Sequence, residues 1–379
     1  MKTCVNNNGS RSGIALVLVM MTIIVLSVIV GSLALSMTTE MRLARNTEYD
    51  AQMEWMGRSG IEVARYAMAN KCPDQKGIDA LDQYWAGGTT PCSNGVENFP
   101  LKNIQLGGGH IDITITDMER KWDINQVANP RSPQREILQK ALAEAGVTDE
   151  EQSSTIIDSI LDWINPSSTS GFSGAKSDYY MGLNPPYYCK NGNIDDMSEL
   201  LLIKGVTPEI YWGSRSTNHP VSAFQQHGGG AFGSSTPTVR STGAGFNSDQ
   251  NTPTVGLVDL FAYMGNKLNI NTAPIETLQL IPGIDESIAA RILQGRQGPD
   301  GQDGTDDDVP LQNPGELSEF LGQGGATGAL ATYVDVRSYV FMVKVDAHID
   351  DYHRIFYGII SRGQGGGGQQ LQCIKFYWE

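Results

Sequence analysis

The stretch Ser10–Leu35, SRSGIALVLVMMTIIVLSVIVGSLAL, decides how the rest of this chain is read. Its apolar run from Ile14 to Leu35 is about 22 residues. At about 1.5 Å per residue that is about 33 Å of helix, enough to cross a hydrocarbon core of about 30 Å. The apolar part of a cleaved secretory signal is shorter, about 7–15 residues, which weighs against that reading although Ser32-Leu33-Ala34 has the small residues of a cleavage site. Lys2 and Arg11 precede the run and no acidic residue does. The positive-inside rule then keeps the amino terminus cytoplasmic and sends the remainder across. The expectation is a single-pass inner-membrane protein with its bulk in the periplasm.

The chain has 379 residues and a formal net charge of -15. That acidity argues against nucleic acid as a partner, because such binding rests on Lys and Arg neutralising phosphates. An oxidising compartment fits the cysteines. Cys4 lies in the stub before the apolar run, and Cys72, Cys92, Cys189 and Cys373 make an even set with no CxxC pair. Cys72 with Cys92 would close a loop of about 20 residues, a constraint of about 3 kcal/mol. Cys189 with Cys373 follows only by elimination, and free thiols remain the alternative.

Past Leu35 the helical pattern continues. Met41, Ala44, Ala51, Trp55, Ile61, Ala64 and Met68 recur at spacings of three and four, and no Pro interrupts Ile14–Asn70. One helix of about 55 residues is expected, apolar all round at first and one-sided later, weakened or bent at Gly57 and Gly60. His110–Asp117, HIDITITD, alternates as a half-buried strand, and Gly107–Gly109 offers a turn from NIQL before it. Its companions come only at the far end, in SYVFMVKVDAHID, HRIFYGIISR and QLQCIKFYWE. Between them, SPQREILQKALAEAG and DEEQSSTIIDSILDWIN read as helices, the second with Ile156, Ile160, Leu161 and Ile164 on one face and Trp163 in the core. A weak repeat of an Asn, a short spacer, an acidic-capped apolar helix and a Gly recurs in NIDDMSELLLIKGV, NINTAPIETLQLIPGI and QNPGELSEFLGQG. Ser214–Pro253 is polar and glycine-rich and reads as a linker.

Three constellations invite chemistry. LQLIPGIDESIAARI, Leu278–Ile292, resembles a helix-hairpin-helix, but Asp285 puts a negative charge where a phosphate would sit, so a structural hairpin is favoured. GPDGQDGTDDDVP, Gly298–Pro310, crowds Asp300, Asp303, Asp306, Asp307 and Asp308 into nine positions. Such a glycine-rich acidic loop suits calcium, which takes six to eight oxygen ligands, although the spacing is not that of an EF-hand. His110, His219, His227 and His348, and the His of DYHRIF, show no metal or acid–base spacing. Nothing resembles a nucleophile elbow, a P-loop or a dinucleotide fingerprint, so no enzyme is expected.

Gly13 followed by IALVLVMMTIIVLSVIV resembles a prepilin-type leader junction. DWINP (Asp162–Pro166), GAKSDYYMGLNPPYYCKNGNIDDMSELLLIKGVTPEIY (Gly174–Tyr211) and LNINTAP (Leu268–Pro274) resemble the K family of type II secretion minor pseudopilins. The resemblance implies an α+β fold: a pilin-like long helix packed on an antiparallel sheet, with a large helical domain inserted between its strands. The implied parts are a leader (1–13), the pilin helix (14–70, with 14–35 in the membrane), the first part of the α/β domain (71–119), the inserted domain (120–330, with 214–253 as linker) and the last strands (331–379). It also implies cleavage by prepilin peptidase between Gly13 and Ile14, methylation of Ile14, a calcium-binding soluble part, and pseudopilins I and J among the neighbouring subunits. The expected role is at the pseudopilus tip, initiating or capping assembly for protein export. Pilins commonly carry Glu at the fifth mature position, and here that position is Leu18. A buried carboxylate needs a partner, the terminal amine of the subunit ahead, which a first subunit lacks. Leu18→Glu is therefore expected to insert yet disturb initiation, read out as secretion and cross-linking to partner pseudopilins. An unprocessed membrane-anchored helical adaptor and a minor pilin of a type IV pilus are the alternatives.

Overall fold

The computed structural model describes residues 11–70, 77–90, 100–128, 135–167, 170–213, 255–321, 332–363 and 371–378. Helix α1 runs without a break from Arg11 to Ala69. It is followed by β1 (Ile104–Leu106) and β2 (Gly109–Asp117). Two-residue strands then pair in parallel, β3 (Trp122–Asp123) with β4 (Phe261–Ala262) and β5 (Leu268–Asn269) with β6 (Val334–Asp335). The chain closes with β7 (Val340–Ile349), β8 (Tyr352–Arg362) and β9 (Leu371–Trp378). One antiparallel sheet has the order β1-β2-β7-β8-β9. The early and late strands anticipated from alternation therefore lie side by side, with the helical segment between them in sequence. This is the expected α+β pilin-like architecture.

Alternation explains which face of the sheet is covered. Ile111, Ile113 and Ile115 of β2 and Phe341, Val343, Val345 and Ala347 of β7 are buried against α1. The covering stripe of α1 is Met53, Met56, Ile61, Ala64, Ala67 and Met68. This corrects the stripe read from sequence. Met41, Ala44, Ala51 and Trp55 are exposed, and contact with the sheet begins only near Tyr49, whose hydroxyl donates to Asp350 Oδ2 at 2.9 Å. Gly57 and Gly60 do not interrupt the helix. A Cβ on Gly57 would stand 2.5 Å from the Phe356 ring, and one on Gly60 would stand 2.6 Å from Val345 Cγ1. Both glycines are where the helix backbone comes down onto the sheet, so their role is close approach rather than bending.

The inserted segment has its own core. The helices Arg135–Glu144 and Glu150–Ile164 contribute Ile137, Leu138, Leu142, Ile156, Ile160 and Trp163. Ser132 and Pro133, read as the cap of the first, lie outside the described residues, as does the linker 214–253. Asp149 caps the second helix by accepting from Gln152 N at 3.0 Å. In the hairpin-like segment, Asp285 accepts from Ile288 N at 2.8 Å and caps the helix Glu286–Arg296. Its carboxylate is used by the helix itself, as the structural reading expects.

Candidate functional site

Three regions carry the stretches on which the family resemblance rests. The first is the stem. From Ile14 to Leu35 the apolar side chains of α1 are exposed, Leu18 among them at 61%. Among the described residues this is the one helix long and apolar enough to cross a membrane. Gly13 and Ile14 lie within its first turn, and residues 1–10 are outside the described residues.

The second region gathers the DWINP and Gly174–Tyr211 blocks into one knot. Lys176 is buried, and its ammonium donates to the carbonyls of Asp162 (2.5 Å) and Asn165 (2.6 Å) and to Asn191 Oδ1 (2.9 Å). Asp162 in turn accepts from Gly171 N and Ser170 Oγ. A side chain at Gly174 would overlap Asp162 Oδ2, so the loop can pass only without a Cβ. Trp163 is buried, with its ring edge-on to Tyr180 and its Nε1 donating to Glu199 Oε2 at 3.3 Å. Tyr180 stacks on Tyr187, whose hydroxyl donates to the Leu202 carbonyl. Burial pushes the Tyr180 hydroxyl well above its ordinary range. The outer side of this knot leaves Phe172, Tyr179, Met181, Leu183 and Tyr188 exposed.

The third region is the junction between sheet and helical segment, where LNINTAP is spent. Asn269 Nδ2 donates to Ser338 Oγ (2.7 Å), the Asp79 carbonyl (2.9 Å) and Asp117 Oδ2 (3.3 Å). Asp117 Oδ2 also accepts from Thr272 Oγ1 (2.5 Å) and Ser338 Oγ (2.6 Å). Asn271 exchanges two bonds with Leu311, fastening the segment that follows the acidic loop. Arg362 spans the end of β8 to Asp79 and to the Ser338 carbonyl. Burial pushes the Asp117 carboxyl up to about 6 even against its hydroxyl donors. Glu119, 1% exposed and accepting from Tyr339 N, is pushed up to about 9 by burial first and by the Asp117 charge second. No sequence spacing pointed to this network.

In the acidic loop Asp300, Asp303, Asp307 and Asp308 are bonded within the protein rather than arranged as a calcium cage. Arg296, 4% exposed, donates Nε to Asp303 Oδ1 and Nη2 to Asp303 Oδ2, both at 3.1 Å, so that carboxylate is already neutralised. Asp308 Oδ2 accepts from Gly304 N, Asp307 Oδ2 from Asp300 N, and Asp300 Oδ1 from Gln302 N. The Thr305 hydroxyl, which holds Asp307 below the usual carboxylate range, lies against both Asp307 and Asp308. The five aspartates do not converge on one point. Asp303 does not fit as a ligand, and Asp300, Asp307 and Asp308 each already spend one carboxylate oxygen on a backbone amide.

Two expectations about side-chain clusters need correction. Cys189 and Cys373 are both free, Cys189 buried in the aromatic knot and Cys373 exposed on β9. Elimination paired them only because it ignored that they belong to different bodies of the fold. Cys72 and Cys92 lie outside the described residues. Against the absence of a metal spacing among the histidines, His348 and His353 stand together beside Asp346, with His110 stacked on His348 at 4.8 Å. His219 and His227 are outside the described residues.

Comparison with known proteins gives a consistent answer. Residues 118–215 match the family model for type II secretion system protein K. A protein of Escherichia coli strain K12 assigned as that component is 26% identical over 208 residues, 54% of this chain and 61% of its own length. The type II secretion system protein K of Aeromonas hydrophila is 22% identical over 213 residues, again 61% of its length. The aligned part thus spans less than two thirds of these relatives. A chain of the GspK-GspI-GspJ complex of enterotoxigenic Escherichia coli superposes with a TM-score of 0.60 at 17% identity, covering 89% of this chain and 99% of that one. The resemblance to the protein K family drawn from the sequence is borne out by sequence, family model and fold.

Proposed function

We propose that this chain, similar in sequence and fold to protein K of the type II secretion system, is a minor pseudopilin at the tip of the pseudopilus. There it initiates or caps assembly for export, with pseudopilins I and J as its neighbours. The observation that carries the reading is α1. Its first half is bare and apolar, and its second half is seated on the sheet through Gly57 and Gly60. Such a helix supplies a membrane span before cleavage and a packing stem afterwards. Leu18 supports the tip position, because an apolar side chain there needs no amine from a subunit ahead. The exposed aromatic and apolar side chains from Phe172 to Tyr188 support a lateral contact, since clustered exposed apolar surface marks interaction sites.

The amino terminus is held to be cytoplasmic and the bulk periplasmic, with prepilin peptidase cutting after Gly13. Mass spectrometry of the membrane form tests this. A mature chain beginning at N-methylated Ile14 supports the reading, and an intact Met1 identifies the unprocessed anchor instead. Calcium stays a proposal for the acidic loop, with Asp300, Asp306, Asp307 and Asp308 as donors and Asp303 left to Arg296. Calcium there would supply charge compensation among carboxylates and close the loop.

A further inference from the structure

The β7–β8 hairpin turns through Asp350 and Asp351, with Asp350 at φ +51°. That tight turn sets the register, pairing Ile349 with Tyr352 and His348 with His353. The two-residue period of β7 puts Asp346 on the same face as His348. All three side chains therefore project from the face of the sheet opposite α1. His348 Nε2 lies 3.0 Å and His353 Nε2 2.6 Å from the same oxygen, Asp346 Oδ1. One ligand atom from each residue falls within 4.8 Å of the others. Asp346 Oδ1 is itself buried and accepts no hydrogen bond.

We propose that Asp346, His348 and His353 form a binding site for a divalent transition-metal ion of the zinc class. Two ring nitrogens and a carboxylate oxygen converge on one small volume, an arrangement that a shared cation would hold together. An ordinary histidine–aspartate pair aligns one ring with one carboxylate oxygen, whereas here two rings face the same buried oxygen, which has no aligned hydrogen-bond partner. Two imidazole nitrogens and a carboxylate are the donor set that suits zinc, nickel or copper. Calcium, which takes six to eight oxygens, is disfavoured. The cross-strand neighbour of Asp346 is Asp112, a second carboxylate that takes the Asn103 amide at 2.6 Å. Lys344 is the cation on the same face of β7. His348 and His353 are 33% and 48% exposed, so the remaining coordination position opens to water. An ion held here would tie β7 to β8 two residues from Asp350, the residue that holds Tyr49 of α1. It would stiffen the end of the sheet where the stem enters.

Calorimetric titration of the detergent-solubilised full chain with zinc, and optical titration with cobalt(II), test the site. One saturable equivalent is expected, with visible cobalt bands displaced by zinc and not by calcium. The double variant His348→Gln/His353→Gln loses that equivalent. The single variant His353→Gln changes a half-exposed residue, keeps the fold and weakens binding about tenfold or more. Absence of a saturable equivalent in the wild type, or equal binding in the folded single and double variants, overturns the proposal.

Discussion

Arg362 Nη1 lies 2.7 Å from Asp79 Oδ2, joining residues 283 positions apart, and both side chains are sealed from solvent at 1% and 0% exposure. The guanidinium also rests 5.1 Å from the centre of the Phe341 ring. This pair closes the polar junction in which Asn269, Thr272, Asp117 and Ser338 fasten the inserted helical segment to the pilin-like sheet. Removing one partner of a buried pair leaves an uncompensated charge, which costs about 3–5 kcal/mol. Arg362→Met should therefore lower the unfolding free energy by about that amount in urea melts. A loss below about 1 kcal/mol would mean that the junction contributes little.

Glu119 and Asp117 both contribute to the pH dependence of stability. Both carboxyls are raised by burial, so the folded chain binds more protons than the unfolded chain between the ordinary carboxylate range and their folded values of about 9 and about 6. Their contribution is fully present below pH ~4 and declines as pH rises through those values. Glu119→Gln mimics the protonated form. Its stability relative to wild type should rise steadily from pH 5 to pH 9 in urea melts. A difference independent of pH would show that Glu119 is ionised in the folded chain.

Gly60 weighs helix propensity against packing. Alanine would favour the helix by about 1 kcal/mol, but its Cβ would meet Val345 Cγ1 and Cγ2 at 2.6 and 2.8 Å. Overpacking costs about 1–3 kcal/mol. Gly60→Ala should be destabilising, and Val345→Ala in the same chain should recover part of the loss. A stabilised single variant would show that helix and sheet separate easily.

The acidic loop has two separable parts. Asp303→Asn removes the charge partner of buried Arg296 and should cost about 1–3 kcal/mol with or without calcium. Calcium should raise the melting temperature of the wild-type chain, and Asp307→Asn/Asp308→Asn should abolish that rise. A wild-type Tm unmoved by millimolar calcium would remove the calcium proposal while leaving the Arg296–Asp303 pair intact.

Much of the fold was legible because its signals are periodic. Alternating Ile111, Ile113 and Ile115 and the unbroken run from Ile14 announced the sheet and the stem. The buried stripe of α1 was misplaced because Met and Trp look equally apolar, while the true contact is marked by Gly57 and Gly60, whose missing side chains carry no hydropathy. The junction was invisible because Asp79, Asp117, Asn269, Ser338 and Arg362 share no spacing and meet only once the sheet has closed. The histidine pair was within reach. A two-residue turn at Asp350–Asp351 fixes His348 opposite His353, and only the strand register had to be drawn.

A minor pseudopilin at the head of a filament has to join other subunits. Co-expression with pseudopilins I and J of the same secretion system, followed by size-exclusion chromatography with light scattering, tests it most directly. One complex with a single copy of each of the three subunits is expected. Elution of this chain alone, beside an intact complex of pseudopilins I and J, would contradict it.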